Sequence, residues 1–134
     1  PEGNVHPCRC EPAAAGAGVR ACEEEWERLG GAFDVVLLSA GEDGHVAGLY
    51  PGHHSVSDEG VFVTMDDSPK APPRRMTATR SLLEQAEAAV VLFFGEAKKD
   101  ALETFLEDGP VEGCPARLVK SLGSWYALTD QERG

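Results

Sequence analysis

Residues 41–45 read Gly-Glu-Asp-Gly-His, and every position of that pentapeptide except Glu42 has a chemical use. An imidazole titrates near neutral pH, so His45 is the candidate general base. Asp43, two residues earlier on the same turn, is placed to orient the ring or to position a water. Gly41 and Gly44 permit positive φ and close backbone approach, and the backbone N–H groups around them are candidate donors to a developing oxyanion. Farther along, Arg75 offers a planar fork for an oxyanion or phosphate, and Lys98 an ammonium group. A base, oxyanion donors and two cations are the parts needed to hydrolyse an acyl bond in a small anionic molecule.

Such groups need a scaffold that delivers them to one edge. Residues 33–38 are apolar apart from Asp34, and 88–94 are apolar throughout. Short runs of this kind, rich in Val, predict strands buried on both faces of a parallel sheet. The turn that carries His45 follows the first run at once, at the carboxyl end of a strand, where open α/β sheets place ligands. Gly95 follows the second run. A helix opening at Glu96 presents Ala101, Leu102, Phe105 and Leu106 on one face and stops at 108–110, Asp-Gly-Pro. That strand-Gly-helix unit is expected to leave backbone N–H groups free at the sheet's carboxyl edge. Lys98 lies in the helix's first turn, where a cation opposes the dipole, and is expected either to serve the site or to be simply solvated.

The remaining elements fill in around these. Ala15, Val19, Cys22, Trp26 and Leu29 recur at helical spacing within a helix expected over 13–29, stopped by Gly30 and Gly31. Strands are expected at 61–65, 74–79 and 124–128, with Trp125 in the core. A loop at 66–73 has three prolines within its last five residues, which stiffens it. A short helix at 81–86 has Thr79 or Ser81 as its cap, and another helical turn falls at 115–119. Helix alternating with strand gives an α/β fold with a mostly parallel sheet, in one domain spanning 1–134.

Twelve Lys and Arg against 23 Asp and Glu leave a net charge of −11, which argues against nucleic acid and anionic membrane as partners. No apolar run approaches the ~20 residues that cross a bilayer, and a cytoplasmic location is expected. Cys8 and Cys10 are separated by one residue, too close for a zinc knuckle, and a chain of this size builds its own core. The four cysteines are therefore expected as reduced thiols. His6 is expected as a surface or loop-packing side chain. His53 and His54 are adjacent and are expected to diverge on a surface loop rather than share a metal. Neither metal nor cofactor is anticipated.

The motif at 41–45 resembles the Gly-x-Asp-Gly-His turn of the 6-phosphogluconolactonases and of their relatives, the glucosamine-6-phosphate deaminases. Ser39 stands where that family has Gly. The continuation through Leu49, Tyr50, Pro51 and Gly52 is similar to the lactonase branch, with an aromatic residue before Pro-Gly. Residues 4–6, Asn-Val-His, resemble the segment that introduces the second half of that fold. Residues 68–77 are similar to the lactonase Pro-Lys-Pro-Pro-x-Arg-hydrophobic-Thr signature, with Arg75 at the recurrent arginine. Within it Ala71 replaces a frequent proline, and Arg74 stands where an acid is common. Residues 95–102 resemble Gly-x-x-Lys-x-x-Ala-Leu, with Lys98 at the lysine, and Pro115-Ala116 is similar to a later segment.

The resemblance implies the carboxyl-terminal part of the lactonase/deaminase (NagB-like) fold, a partial three-layer sandwich. It implies hydrolysis of a phosphorylated sugar lactone in the pentose phosphate pathway, with His45 as base and no cofactor. It also implies a preceding stretch, with a Gly-Gly-Ser-Thr-Pro phosphate loop and an Asp-Glu-Arg motif, and neither motif occurs in these residues. The chain is accordingly expected to be a fragment or a short relative, whose exposed sheet edge is covered by the missing segment or by a second copy. Two other readings remain open: a sugar-phosphate deaminase or isomerase of the sister branch, and a non-catalytic module that binds or dimerises.

Overall fold

Strands β1 (Val35–Ser39), β4 (Ala88–Phe93) and β5 (Ser124–Thr129) lie side by side in the order β1-β4-β5, all parallel. This computed structural model describes residues 2–9 and 14–132. Helix α1 (Ala15–Arg28) precedes β1. An antiparallel pair, β2 (Phe62–Met65) and β3 (Arg75–Ala78), forms a separate two-stranded ribbon between β1 and β4. Helix α2 (Arg80–Leu83) links β3 to β4, and α3 (Lys99–Leu106) follows β4 through a 3₁₀ turn at Glu96–Lys98. A 3₁₀ segment, Pro115–Ser121, leads into β5.

The mostly parallel sheet and the alternation of elements agree with expectation, but burial on both faces does not. Val36, Leu38, Ala89, Val91 and Phe93 point into a core shared with Leu49, Leu102, Phe105 and Leu118. On the opposite face the register sets Leu37 beside Val90 and Tyr126, and Ser39 beside Leu92 and Leu128. There Leu37 is 68% exposed and Tyr126 62%. The apolar runs looked doubly buried because both faces carry aliphatic side chains. In these residues only one face is covered. Trp125 sits on the core side edge-to-face with Phe105 at 5.6 Å, yet is 38% exposed, a rim position rather than a core one.

Local chemistry explains the breaks. The Thr79 hydroxyl accepts from Leu82 N–H at 3.2 Å and so caps α2, while donating to Gly60 O at 2.7 Å and tying the helix to the ribbon. Gly95 has φ of 93° and turns the chain out of β4. Its N–H is not free, however, because Asp130 beyond β5 accepts it at 3.0 Å. The amides expected to be open at this edge therefore do not include that of Gly95.

The cysteine expectation is corrected too. Cys8 and Cys22 are joined, their Cα atoms 5.5 Å apart, because the amino-terminal segment lies along the buried side of α1. His6 on that segment pairs with Glu25 at 2.5 Å, as a packing side chain does. Cys10 lies outside the described residues. Cys114 is free and fully buried, and burial pushes its thiol up, which leaves it a poor nucleophile.

Candidate functional site

The ladder between β1 and β4 continues to Ala40, whose N–H donates to Leu92 O at 2.9 Å, and then the chain doubles back. Gly41 N–H donates to His45 O at 2.8 Å, and Gly44 N–H to Gly41 O at 3.0 Å. These bonds close a turn at the carboxyl end of β1 and fold the imidazole over its own base. Both glycine amides are engaged within the turn, so they are not themselves free to meet an oxyanion. What the glycines contribute is missing bulk. A Cβ at Gly41 would overlap the His45 ring, and one at Gly44, where φ is 82°, would come within 2.7 Å of Cys114 Sγ.

His45 Nδ1 lies 2.6 Å from Asp43 Oδ1, and His45 N–H donates to the same oxygen at 3.2 Å. Burial works to raise the Asp43 carboxyl, but its bonds to His45 and the charges of His45 and Lys70 outweigh it, so Asp43 ends below its ordinary range. Lys70 Nζ stands 3.9 Å from the other Asp43 oxygen. The imidazole side chain is 20% exposed and rests against Tyr50, ring centroids 4.8 Å apart.

Three supports hold this turn from behind. Gly44 O accepts Ala116 N–H at 2.9 Å, from the Pro115–Ser121 segment. Gly48 N–H donates to Thr77 Oγ1 on β3 at 2.9 Å. Tyr50 N–H donates to Ser55 Oγ at 3.2 Å. Tyr50 itself is buried, with a hydroxyl that meets no partner among the described residues.

Arg75 is directed partly at its own loop. Its Nε donates to Pro72 O at 3.1 Å, and its Nη2 to Ala71 O at 2.7 Å and Lys70 O at 3.3 Å. The guanidinium carbon lies over the Tyr50 ring, 6.0 Å from its centre. Arg75 thus fixes the segment that presents Lys70. Lys98 stands at the exit of β4, the strand next to β1, and its ammonium makes no ion pair among the described residues. So Asp43, His45, Gly41 and Gly44 form one contiguous turn, Arg75 approaches through Tyr50, and Lys98 shares the sheet's carboxyl edge. Lys70, Tyr50 and Thr77 join them unforeseen. Lys70 and Thr77 lie in the proline-rich signature and Tyr50 in the Tyr-Pro-Gly continuation of the turn, so the signal for each was in the sequence.

His53 and His54 lie side by side on the connection after the Tyr50 turn. Their rings lie 4.2 Å apart, tilted by 36°, and both turn toward Asp67 rather than apart. Elsewhere, a cleft of about 820 Å³ opens between the amino-terminal segment, α1 and β1, lined among others by Trp26, Phe33 and Phe62. It is remote in sequence and lining from His45, and carries no acid–base pair beyond His6 and Glu25.

The family model for glucosamine-6-phosphate isomerases/6-phosphogluconolactonase matches residues 1–126. The chain belongs to that family. It is 40% identical over 103 residues to a protein named 6-phosphogluconolactonase from Borreliella burgdorferi, covering 75% of this chain and 44% of that one. To the human 6-phosphogluconolactonase it is 37% identical over 89 residues, covering 66% of this chain and 34% of that one. Among solved structures, the Thermotoga maritima 6-phosphogluconolactonase superposes with a TM-score of 0.73 at 26% identity, over 95% of this chain and 57% of the other. A monomeric glucosamine-6-phosphate deaminase shares the fold, with a TM-score of 0.68 at 22% identity. The chain therefore spans less than half the length of these sequence relatives. No helix among the described residues is long and apolar enough to cross a membrane.

Proposed function

We propose that this chain carries the proton-transfer part of a 6-phosphogluconolactone hydrolase, with His45 as general base and Asp43 as its positioning partner. The observation that carries the reading is the 2.6 Å contact between Asp43 Oδ1 and His45 Nδ1 on a turn closed at the carboxyl end of a parallel strand. The carboxylate keeps a proton on Nδ1 and leaves the Nε2 lone pair for a water. That water attacks the lactone carbonyl carbon, and its proton passes to Nε2. When the ring C–O bond breaks, the imidazolium returns the proton to the departing ring oxygen, and the product is the open hydroxy acid. A cyclic ester is reactive enough for this without a metal. The phosphate tail is an anion in a chain of net charge −11, so local cations must hold it. Lys98 and Arg75 take that role here, with Lys70 beside Asp43.

Names of relatives at 37–40% identity support the lactone over the amino sugar phosphate. Because relatives are more than twice as long, we assign the remaining substrate contacts to a further polypeptide, either an amino-terminal segment or a second copy. It would also cover the open edges of β1 and β5 and the exposed Leu37–Tyr126 face.

The test is hydrolysis of 6-phosphogluconolactone and deamination of glucosamine 6-phosphate, measured for the parent and His45→Ala, each alone and with an amino-terminal segment supplied. Lactonase activity that falls by about 10²–10⁴ in the variant is expected. Equal rates for parent and variant would leave a non-catalytic module. Turnover of the amino sugar alone would move the protein to the sister branch.

A further inference from the structure

Beside the proposed base, across Tyr50, lies a second cluster that lactone hydrolysis does not use. His54 Nε2 stands 3.1 Å from both Asp67 oxygens, and His53 Nε2 stands 3.4 Å from Asp67 Oδ1. One ligand atom from each of the three side chains lies within 4.8 Å of the others. We infer that His53, His54 and Asp67 form a site for a divalent transition metal of the zinc class.

The back of each ring is arranged for this. Asp58 holds His54 Nδ1 at 2.9 Å and so fixes a proton there, while Nε2 donates to Asp67 at 3.1 Å in the metal-free protein and gives up that proton when an ion takes its place. A carboxylate behind a histidine is the usual outer support of a metal-binding imidazole. His53 Nδ1 accepts Ser55 N–H at 3.2 Å, with Ser55 Oγ 3.0 Å away. In the metal-free protein this leaves the proton on His53 Nε2, a buried atom with no hydrogen-bond acceptor among the described residues. Metal binding shifts that proton to Nδ1, where Ser55 Oγ accepts it in place of the bond from Ser55 N–H, and no proton is gained or lost by this ring. Two imidazole nitrogens and one carboxylate oxygen, with water in a fourth position, suit zinc rather than magnesium or calcium, which take oxygen ligands. The net charge of −11 also favours cation binding.

The ligands come from two loops. His53 and His54 follow the Tyr50 turn, and Asp67 opens the loop that continues through Ser68 to Lys70 and Arg75. Ser68 already grips Lys70 O through its hydroxyl at 2.9 Å. A bound ion would clamp the loop that presents Lys70 onto the turn that carries Tyr50, and so hold the cations of the neighbouring site in place. This inference does not depend on which reaction that site performs.

The experiment titrates the purified protein with Zn²⁺ by calorimetry and with Co²⁺ by visible absorption, alongside thermal melts with and without Zn²⁺. Expected is one ion per chain, a four-coordinate Co²⁺ spectrum and a raised Tm. Asp58→Asn should weaken binding by about 10-fold or more through loss of the outer support. His54→Ala and Asp67→Asn, both at exposed positions, should abolish it without unfolding the chain. His45→Ala should leave it unchanged. No saturable binding by the parent, binding that survives both ligand substitutions, or binding lost in His45→Ala would each overturn the inference. The last of these would put the ion at the Asp43–His45 turn.

Discussion

The imidazole of His45 occupies the space that a side chain at Gly41 would need. A Cβ built on Gly41 overlaps Nδ1 and Cε1 of the ring and lies 2.8 Å from Asp43 Oδ1. The glycine is not at positive φ, so its replacement strains contacts rather than backbone. Gly41→Ala should therefore leave folding largely intact and displace the ring. A misplacement of about 1 Å in a reacting group costs about 10²-fold in rate. The expected result is a kcat for lactone hydrolysis lower by that factor with a smaller change in KM and Tm. A variant with full kcat would show that the ring's position does not matter to the reaction.

Asp43→Asn tests the partner. The amide can still reach Nδ1 but carries no charge to steady an imidazolium, and kcat should fall by about 10²-fold or more. A pH effect accompanies it. Asp43 lies below its ordinary value when folded, so its stabilisation is complete above the unfolded value of about 3.9 and is lost as pH falls through the folded one. Melting temperatures should drop below about pH 4 in both proteins, because Glu25, bonded to Arg28, is held down to about 2 and Asp67 is also lowered. The parent should drop more steeply than Asp43→Asn. Parallel curves would mean that the pair adds nothing to stability.

Gly44 and Cys114 form a second tight contact. Gly44→Ala places a methyl against Cys114 Sγ at 2.7 Å and forces Ala to φ 82°, which costs about 1–2 kcal/mol from the backbone alone. Cys114→Ala removes the sulfur and relieves only the steric part. Denaturant titration of both single variants and the double should show coupling of about 1 kcal/mol, with the double more stable than the sum of singles predicts. Strict additivity would mean that the neighbouring chain gives way without cost.

The turn was legible because its parts are local. Gly41, Asp43, Gly44 and His45 fall within five residues, and a closed turn at a strand end fixes their mutual geometry almost wherever it occurs. The sheet was legible from Val-rich runs at 35–38 and 88–93. Sequence does not show which carbonyl takes a donor, and here the turn takes the amides of Gly41 and Gly44 for itself. Lys70 and Thr77 were missed because each meets the turn only through tertiary packing, across 27 and 29 residues respectively. The exposed side of β1 was misread for a related reason. Composition shows which side chains are apolar, but not what packs against them.

Arg117 ties the Pro115–Ser121 segment to the end of α3 and supplies the stability test. It is 8% exposed, and no carboxylate pairs with it among the described residues. Instead Nη2 donates to Thr104 O at 2.6 Å in the last turn of α3, and Nη1 to Pro110 O at 3.2 Å. Helix carbonyls at a carboxyl end are partly negative, so a guanidinium there satisfies orphan acceptors and suits the dipole. Gly109 leaves room for it, since a Cβ there would collide with the guanidinium. Arg117 also belongs to the Pro115–Ser121 segment, whose Ala116 N–H holds Gly44 O behind His45. Arg117→Met keeps most of the volume and loses both charge-assisted bonds, each worth about 1.5–3 kcal/mol, while removing the desolvation cost of the charge. A net loss of about 2–4 kcal/mol in unfolding free energy is the expected balance. Arg117→Lys, with one ammonium to share between two carbonyls, should fall between parent and Met. If Arg117→Met matches the parent in urea, the charge at the end of α3 is dispensable and apolar packing alone holds the segment behind the turn.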